Sequence, residues 1–195
     1  MKKIGILGST GSIGIQALDI IRNNKDKYQL VFIAAYSDTE NLIAQSKEFN
    51  PQFTSIFSEN KFSDLQNELK HCKISCGYNS LLDLCKIQDI DIILNSISGY
   101  QGLSLSVEVL KSGTNLALAN KESIVQAGHI LLDIANKNNA KILPVDSEHS
   151  ALWQCALGEE ENTIRKLILT GSGGPFRETS KIDFSKITKK EALNH

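Results

Sequence analysis

The sequence predicts a doubly wound α/β protein with a parallel sheet, followed by the start of a second, α+β domain. Three observations predict it. Short, continuous apolar runs alternate with longer amphipathic stretches, the pattern of parallel strands buried on both faces by helices. The first run passes directly into Gly8-Ser9-Thr10-Gly11-Ser12-Ile13-Gly14, a glycine-rich turn that opens the first helix. After Pro144 the texture shifts towards polar and glycine-rich sequence, which places a domain boundary near 145. The first domain, residues 1–145, is therefore expected to be Rossmann-type. Residues 146–195 are expected to begin the second domain.

The elements follow in order along the chain. Strands are expected at residues 4–7, 30–35, 53–57, 90–95, 115–118 and 141–143, where apolar residues run together between turn signals. Helices are expected at 13–23, 40–49, 63–69, 78–86, 101–111 and 121–137. In the last of these, Ile124, Ala127, Ile130, Leu131, Ile134 and Ala135 recur at helical spacing. Beyond Pro144, residues 151–157 continue a helix, and 164–170 (Ile-Arg-Lys-Leu-Ile-Leu-Thr) alternate as a half-exposed strand would.

Composition bounds the function. Hydrophobic residues make up 41% and charged residues 22% of the 195, an ordinary globular balance. A net charge of -1 gives no electrostatic reason to expect nucleic acid or an acidic membrane as partner. No apolar run approaches the ~20 residues of a membrane span, and the N-terminal run breaks at once into Gly-Ser-Thr-Gly, so a cytoplasmic protein is expected. Cys72, Cys76, Cys85 and Cys155 read as reduced thiols. The Cys72/Cys76 spacing has no Cys/His pair downstream to complete a zinc site.

The turn at Gly8, Thr10, Gly11, Ser12 and Ile13 is the first candidate site. Glycines let the backbone approach a pyrophosphate, and the helix N-terminus offers unpaired N–H groups and partial positive charge. An ordinary strand-to-helix turn is the plainer reading, but its place after the first strand favours dinucleotide binding. The cofactor's adenosine ribose should meet Tyr36-Ser37-Asp38, after the second strand. Asp38 leans towards a ribose 2′-hydroxyl and hence NAD, with no Arg or Lys beside it. It equally suits the cap of the helix that begins near Glu40, so Ser37 and Asp38 leave the choice of NAD or NADP open.

Three further segments carry polar side chains where an open α/β sheet places its ligands. Asn120-Lys121-Glu122-Ser123 follows the strand at 115–118. Lys121 suits a substrate anion or the orientation of a carboxylate, while Asn120 and Glu122 also suit a helix cap and dipole. Pro144-Val145-Asp146-Ser147-Glu148-His149 follows the next strand. Asp146 and Glu148 are hard oxygen ligands suited to Mg²⁺ or Mn²⁺, with Ser147 as a donor to a bound oxygen; an acidic helix start is the alternative. Thr170-Gly171-Ser172-Gly173-Gly174-Pro175-Phe176 is either an anion-binding nest or a flexible connection.

Taken in order, these four segments resemble the 1-deoxy-D-xylulose 5-phosphate reductoisomerase family, with Ala119 opening the second match and Leu169 and Arg177 flanking the fourth. The resemblance spans the whole chain and is weakest between residues 39 and 88. It implies NADPH- and metal-dependent rearrangement and reduction of 1-deoxy-D-xylulose 5-phosphate to 2-C-methyl-D-erythritol 4-phosphate, in isoprenoid precursor synthesis. Carried over residue by residue, Gly8, Thr10, Gly11, Ser12, Ile13, Asn120 and Glu122 would lie against the cofactor. Asp146 and Glu148 would hold Mn²⁺, Mg²⁺ or Co²⁺. Lys121, Ser147, Glu148, Ser172 and His195 would meet the phosphorylated sugar substrate, with Lys121 and Glu148 as catalytic side chains. The family implies a homodimer, and a further segment with a third acidic metal ligand, substrate phosphate contacts, a lid and a helical domain. The 195 residues alone are therefore expected to bind cofactor and to turn over poorly.

Two other readings make distinct expectations. A semialdehyde dehydrogenase would need a reactive thiolate, and Cys155, mid-helix among apolar neighbours, reads instead as a small core residue. A non-catalytic dinucleotide sensor would bind cofactor without regard to metal, a property for which the Asp146-Ser147-Glu148 triplet gives no reason.

Overall fold

A computed structural model describes residues 1–160, 163–171, 174–178 and 183–194. The chain divides into two compact units, Met1–Asp146 and Ser147–His195.

The first unit is a seven-stranded parallel sheet in the order β4-β3-β2-β1-β5-β6-β7. Its strands are β1 (Lys2–Leu7), β2 (Tyr28–Ala35), β3 (Phe53–Ile56), β4 (Lys73–Cys76), β5 (Ile92–Asn95), β6 (Asn115–Leu118) and β7 (Ile142–Pro144). Between them run α1 (Ser12–Arg22), α2 (Thr39–Phe49), α3 (Phe62–Glu68), α4 (Gly77–Leu84), α5 (Gln101–Lys111) and α6 (Lys121–Lys137). The doubly wound expectation is borne out. The chain winds outward from β1 to β4, returns through α4 to β5 beside β1, and winds outward the other way.

Alternation along each strand sorts the core into two halves. Leu7, Phe32, Ile93 and Leu116 pack with Leu81 of α4, Leu105 of α5 and Leu131 of α6. Ile6, Ile33, Ile56 and Leu94 pack on the other side with Leu18 of α1, Leu42 of α2 and Leu65 of α3. The register of β1 against β2 shifts between Ile4 and Gly5. There the Phe32 ring lies across Gly5, where a Cβ would stand 2.2 Å from its Cε1.

β4 is an element that the sequence pattern did not announce. Its four residues are exposed or half-buried and pair with β3 alone. Just before β4, the Cys72 Sγ lies 3.5 Å from Ser46 Oγ of α2 and from Thr54 Oγ1 of β3.

The second unit contains α7 (Ser147–Ala156), α8 (Lys189–Ala192) and short 3₁₀ turns at Gly174–Phe176 and Phe184–Lys186. The strand expected at 164–170 does not form. A strand needs a partner for its backbone groups, and no described residue pairs with this segment. Leu167, Ile168 and Leu169 are accordingly exposed. Cys155 also departs from expectation: it is exposed. α7 has no buried residue, so its apolar side chains find no core in which a thiol could hide.

Candidate functional site

Between β1 and β5 the winding reverses, and the loops after these strands separate at their carboxyl ends, the crevice where open α/β sheets hold ligands. A cleft of about 440 Å³ lies there. Gly8, Thr10 and Gly11 line it from the turn after β1, and Ser96, Ile97 and Ser98 from the turn after β5. Tyr36, Phe57 and Tyr78, after β2, β3 and β4, supply aromatic walls. The Tyr36 and Phe57 rings stack at 4.8 Å with 17° between their planes, and Tyr78 meets Phe57 edge-on.

The glycine turn is built for close approach. Gly8 has φ +89, and its N–H donates to Ala34 O at 2.8 Å. Ser96 Oγ bonds Leu7 O at 2.8 Å and would meet a Cβ on Gly8 at 2.7 Å. At Gly14 a Cβ would stand 2.2 Å from Gly8 O, so the first turn of α1 nests against the loop as only glycine permits. α1 starts at Ser12 with Gly11 as N-cap and no side chain capping it. Its first-turn N–H groups and the positive end of its dipole therefore suit an anion.

The residues present fit a dinucleotide. Glycines would let a pyrophosphate approach, an apolar and aromatic cleft suits adenine or nicotinamide, and the buried Ser9 Oγ has no hydrogen-bond partner among the described residues. Ser12 is exposed at the mouth, whereas the Ile13 side chain packs into the core with α1, leaving only its backbone to face a phosphate.

Asn120 turns out to be structural as well as well placed. It is 3% exposed and caps α6, its Oδ1 accepting from Ser123 N at 3.1 Å. Its Nδ2 donates to Ile97 O at 2.7 Å, Gly99 O at 2.9 Å and Glu122 Oε2 at 3.1 Å. The Asn120–Glu122 pair thus ties the turn after β5 to the head of α6. Asn95 supports the same turn from below, donating to Gly102 O at 2.8 Å and to Ser106 Oγ at 2.9 Å.

Lys121 Nζ lies 3.1 Å from Asp146 Oδ2, with the ammonium largely exposed and the carboxylate sheltered. This joins the first residue of α6, after β6, to the second residue after β7, on the side of the sheet where the strands have their carboxyl ends. Asp38 is half-buried after β2 and caps α2, accepting from Asn41 N at 3.2 Å; Ser37 is exposed beside it. In the second unit, Ser147 Oγ donates to Glu148 Oε2 at 3.0 Å at the head of α7. Thr170 and Gly171 are exposed and without regular structure. Ser172 and His195 lie outside the described residues.

Asp146 and Glu148 have the oxygen chemistry for a hard divalent cation. Among the described residues, no group of three or more His, Cys, Asp or Glu side chains converges as a complete ion cage would. No described helix is long and apolar enough to cross a membrane.

The sequence reading missed the walls of the cleft: Tyr36 as a ring, Phe57, Tyr78 and the Ser96-Ile97-Ser98 turn. Only the last had a signal, the small polar run Asn95-Ser96-Ile97-Ser98-Gly99 directly after a buried strand.

Comparison with known proteins converges on one family. A family model described as 1-deoxy-D-xylulose 5-phosphate reductoisomerase matches residues 4–128. A second, described as the C-terminal domain of that enzyme, matches residues 142–195. The 1-deoxy-D-xylulose 5-phosphate reductoisomerase of Thermoanaerobacter sp. (strain X514) is 44% identical over 196 residues, covering 100% of this chain and 51% of the relative. That of Protochlamydia amoebophila is 40% identical over 195 residues with the same coverage. A solved reductoisomerase from Zymomonas mobilis, in complex with NADPH, superposes with a TM-score of 0.90 at 33% identity, covering 100% of this chain and 52% of that one. A DOX-P reductoisomerase in complex with NADPH, fosmidomycin and magnesium gives 0.87 at 33% identity, covering 100% and 51%. The chain spans about half the length of the curated relatives it matches.

Proposed function

Because the chain belongs to the 1-deoxy-D-xylulose 5-phosphate reductoisomerase family, we propose that it supplies the dinucleotide-binding domain and the beginning of the catalytic domain of such an enzyme. The reaction is the isomerisation and NADPH-dependent reduction of 1-deoxy-D-xylulose 5-phosphate to 2-C-methyl-D-erythritol 4-phosphate, in isoprenoid precursor synthesis. The observation that carries this reading is the uncapped glycine cradle of α1 at the point where the sheet reverses its winding. Membership of the family sets the semialdehyde dehydrogenase reading aside.

In this proposal the backbone of Gly8, Thr10, Gly11, Ser12 and Ile13 holds the cofactor pyrophosphate, and Ser37 and Asp38 meet the adenosine ribose. Asn120 and Glu122 shape the turn against which the cofactor rests. Asp146 and Glu148, one residue apart in sequence, take Mg²⁺, Mn²⁺ or Co²⁺, a choice that fits their hard carboxylate oxygens. When bound, the ion supplies Lewis acidity and the nicotinamide a hydride. Lys121 neutralises Asp146 and offers its exposed ammonium to a substrate anion. Ser147, Glu148, Ser172 and His195 are the further substrate contacts. The whole protein is proposed to act as a cytoplasmic homodimer on a small phosphorylated sugar.

The test mixes the purified chain with NADPH, Mn²⁺ and 1-deoxy-D-xylulose 5-phosphate, following cofactor fluorescence and oxidation together. Binding of NADPH with slow oxidation supports the proposal, since a full ligand set is not gathered among the described residues. A chain that binds neither NADPH nor NADH would refute it.

A further inference from the structure

The aromatic end of the cleft carries an inference about the base of the cofactor, which rests on the dinucleotide reading above. With a pyrophosphate on the turn after β1, the adenosine runs towards the end of β2. The walls there are the Tyr36 and Phe57 rings, stacked on each other, and Tyr78, edge-on to Phe57. Ala34 and Ala35, which end β2, line the same cleft with Leu81 of α4 and Leu105 of α5. Such surfaces take the face of any flat ring and do not tell one base from another.

Gln101, the first residue of α5, stands among them. The Tyr78 hydroxyl donates to its backbone oxygen at 3.2 Å, which fixes the head of α5 beside the rings. Gln101 is half-buried, and its carboxamide makes no hydrogen bond among the described residues.

The other polar groups of the lining are committed, placed elsewhere or unselective. The Ser96 hydroxyl has one hydrogen to give, and Leu7 O at 2.8 Å and Gly8 O at 3.2 Å compete for it. Thr10 and Ser98 belong to the turns after β1 and β5, which flank the pyrophosphate in this reading. The Tyr36 hydroxyl is carried on a side chain that is 61% exposed. A hydroxyl also both donates and accepts, so it suits an amino or a carbonyl group alike.

A carboxamide is more exacting, because it presents one acceptor and one donor side by side. Adenine offers the matching pair along its N6/N7 edge. A 6-oxopurine offers two acceptors there, O6 and N7, and neither orientation of the carboxamide satisfies both. We propose that Gln101 selects the 6-aminopurine base of the cofactor, its Oε1 accepting from the 6-amino group and its Nε2 donating to N7. Gln101 is then the specificity-determining residue of the adenine pocket.

Titration of the chain with NADPH and with its hypoxanthine analogue, deamino-NADPH, read by nicotinamide fluorescence, tests this. The analogue is expected to bind at least about fivefold more weakly, the discrimination that a bidentate contact gives. A smaller difference overturns the inference. Gln101→Leu removes the carboxamide and keeps the backbone oxygen that Tyr78 bonds, so the head of α5 retains that tie. It is expected to weaken NADPH by about fivefold or more and to leave the analogue within about twofold, erasing the preference. Equal weakening of both ligands, or a preference that survives the substitution, would show that Gln101 does not read the base. Failure of the unaltered chain to bind either ligand is a different result, which removes the dinucleotide site itself and the inference with it.

Discussion

Gly102 passes so close to Asn120 that a Cβ there would stand 2.7 Å from the carboxamide carbon. The first turn of α5 is thereby pressed onto the cap of α6, and the Asn120 side chain bonds both the turn after β5 and its own helix. Asn120→Ala is expected to cost about 2–4 kcal/mol, since it removes the cap and strands buried partners. Urea unfolding measures this. A loss under about 0.5 kcal/mol would show that the tie is not structural.

Gly14→Ala tests the cradle. The added methyl would meet the backbone of Gly8 at 2.2 Å and that of Ser9 at 2.6 Å, neither of which is free to swing aside as a side chain would. Dinucleotide affinity is expected to fall by at least about tenfold, because the loop must open to admit the methyl. Fluorescence titration with NADPH gives the number, and unchanged affinity would mean that the turn does not touch the cofactor.

The thiols separate by environment. Cys85 is buried in the core, and burial, followed by the nearby Glu108, pushes its thiol up to about 12. Its native-state reaction with a disulfide reagent at about pH 8 should run roughly a thousandfold slower than that of an ordinary thiol. Cys155 is exposed and should react first. Mass mapping after brief labelling distinguishes them; early labelling of Cys85 would contradict the burial.

Acid should loosen the junction of α1 and α2. The Arg22 guanidinium, hydrogen-bonded to Glu48 and lying over the Phe49 ring, holds the Glu48 carboxyl below its ordinary 4.5. A folded-state value that is depressed contributes stability above 4.5 and loses it as pH falls through the folded value. Glu48→Gln should therefore show a flatter decline of the urea midpoint between about pH 5 and pH 3 than the unaltered chain. Parallel declines would place the acid sensitivity elsewhere. The pair is well exposed, so the effect is small.

The sheet was legible because its central strands are continuous apolar runs and its helices have a clear buried stripe. β4 was not: Lys73-Ile74-Ser75-Cys76 is short, polar on alternate residues and paired on one side only, so it carries little hydrophobic signal. The reverse error came at 164–170, where alternation looked like a strand but local pattern alone could not provide a pairing partner. In the site, the glycine turn was readable because its chemistry lies in consecutive residues. The aromatic walls were not, since Tyr36, Phe57 and Tyr78 come from three separate strand ends and meet only through the strand order. Asp38 and Asn120 each satisfied two readings, and their cap bonds show that the structural one operates whatever else they do.

The sheet's central strand is also the first to be made. β1 pairs with β2 on one side and with β5, ending at Asn95, on the other. A chain emerging from the ribosome N-terminus first thus carries a strand whose second edge waits, unpaired, until Asn95 has been synthesised. At ~5–20 residues per second that is a delay of several seconds, during which Ile4, Ile6 and their neighbours are exposed to any other strand within reach. Long-range parallel pairing of this kind folds slowly, so the arrangement that creates the ligand crevice also makes the nascent chain a natural client for chaperones.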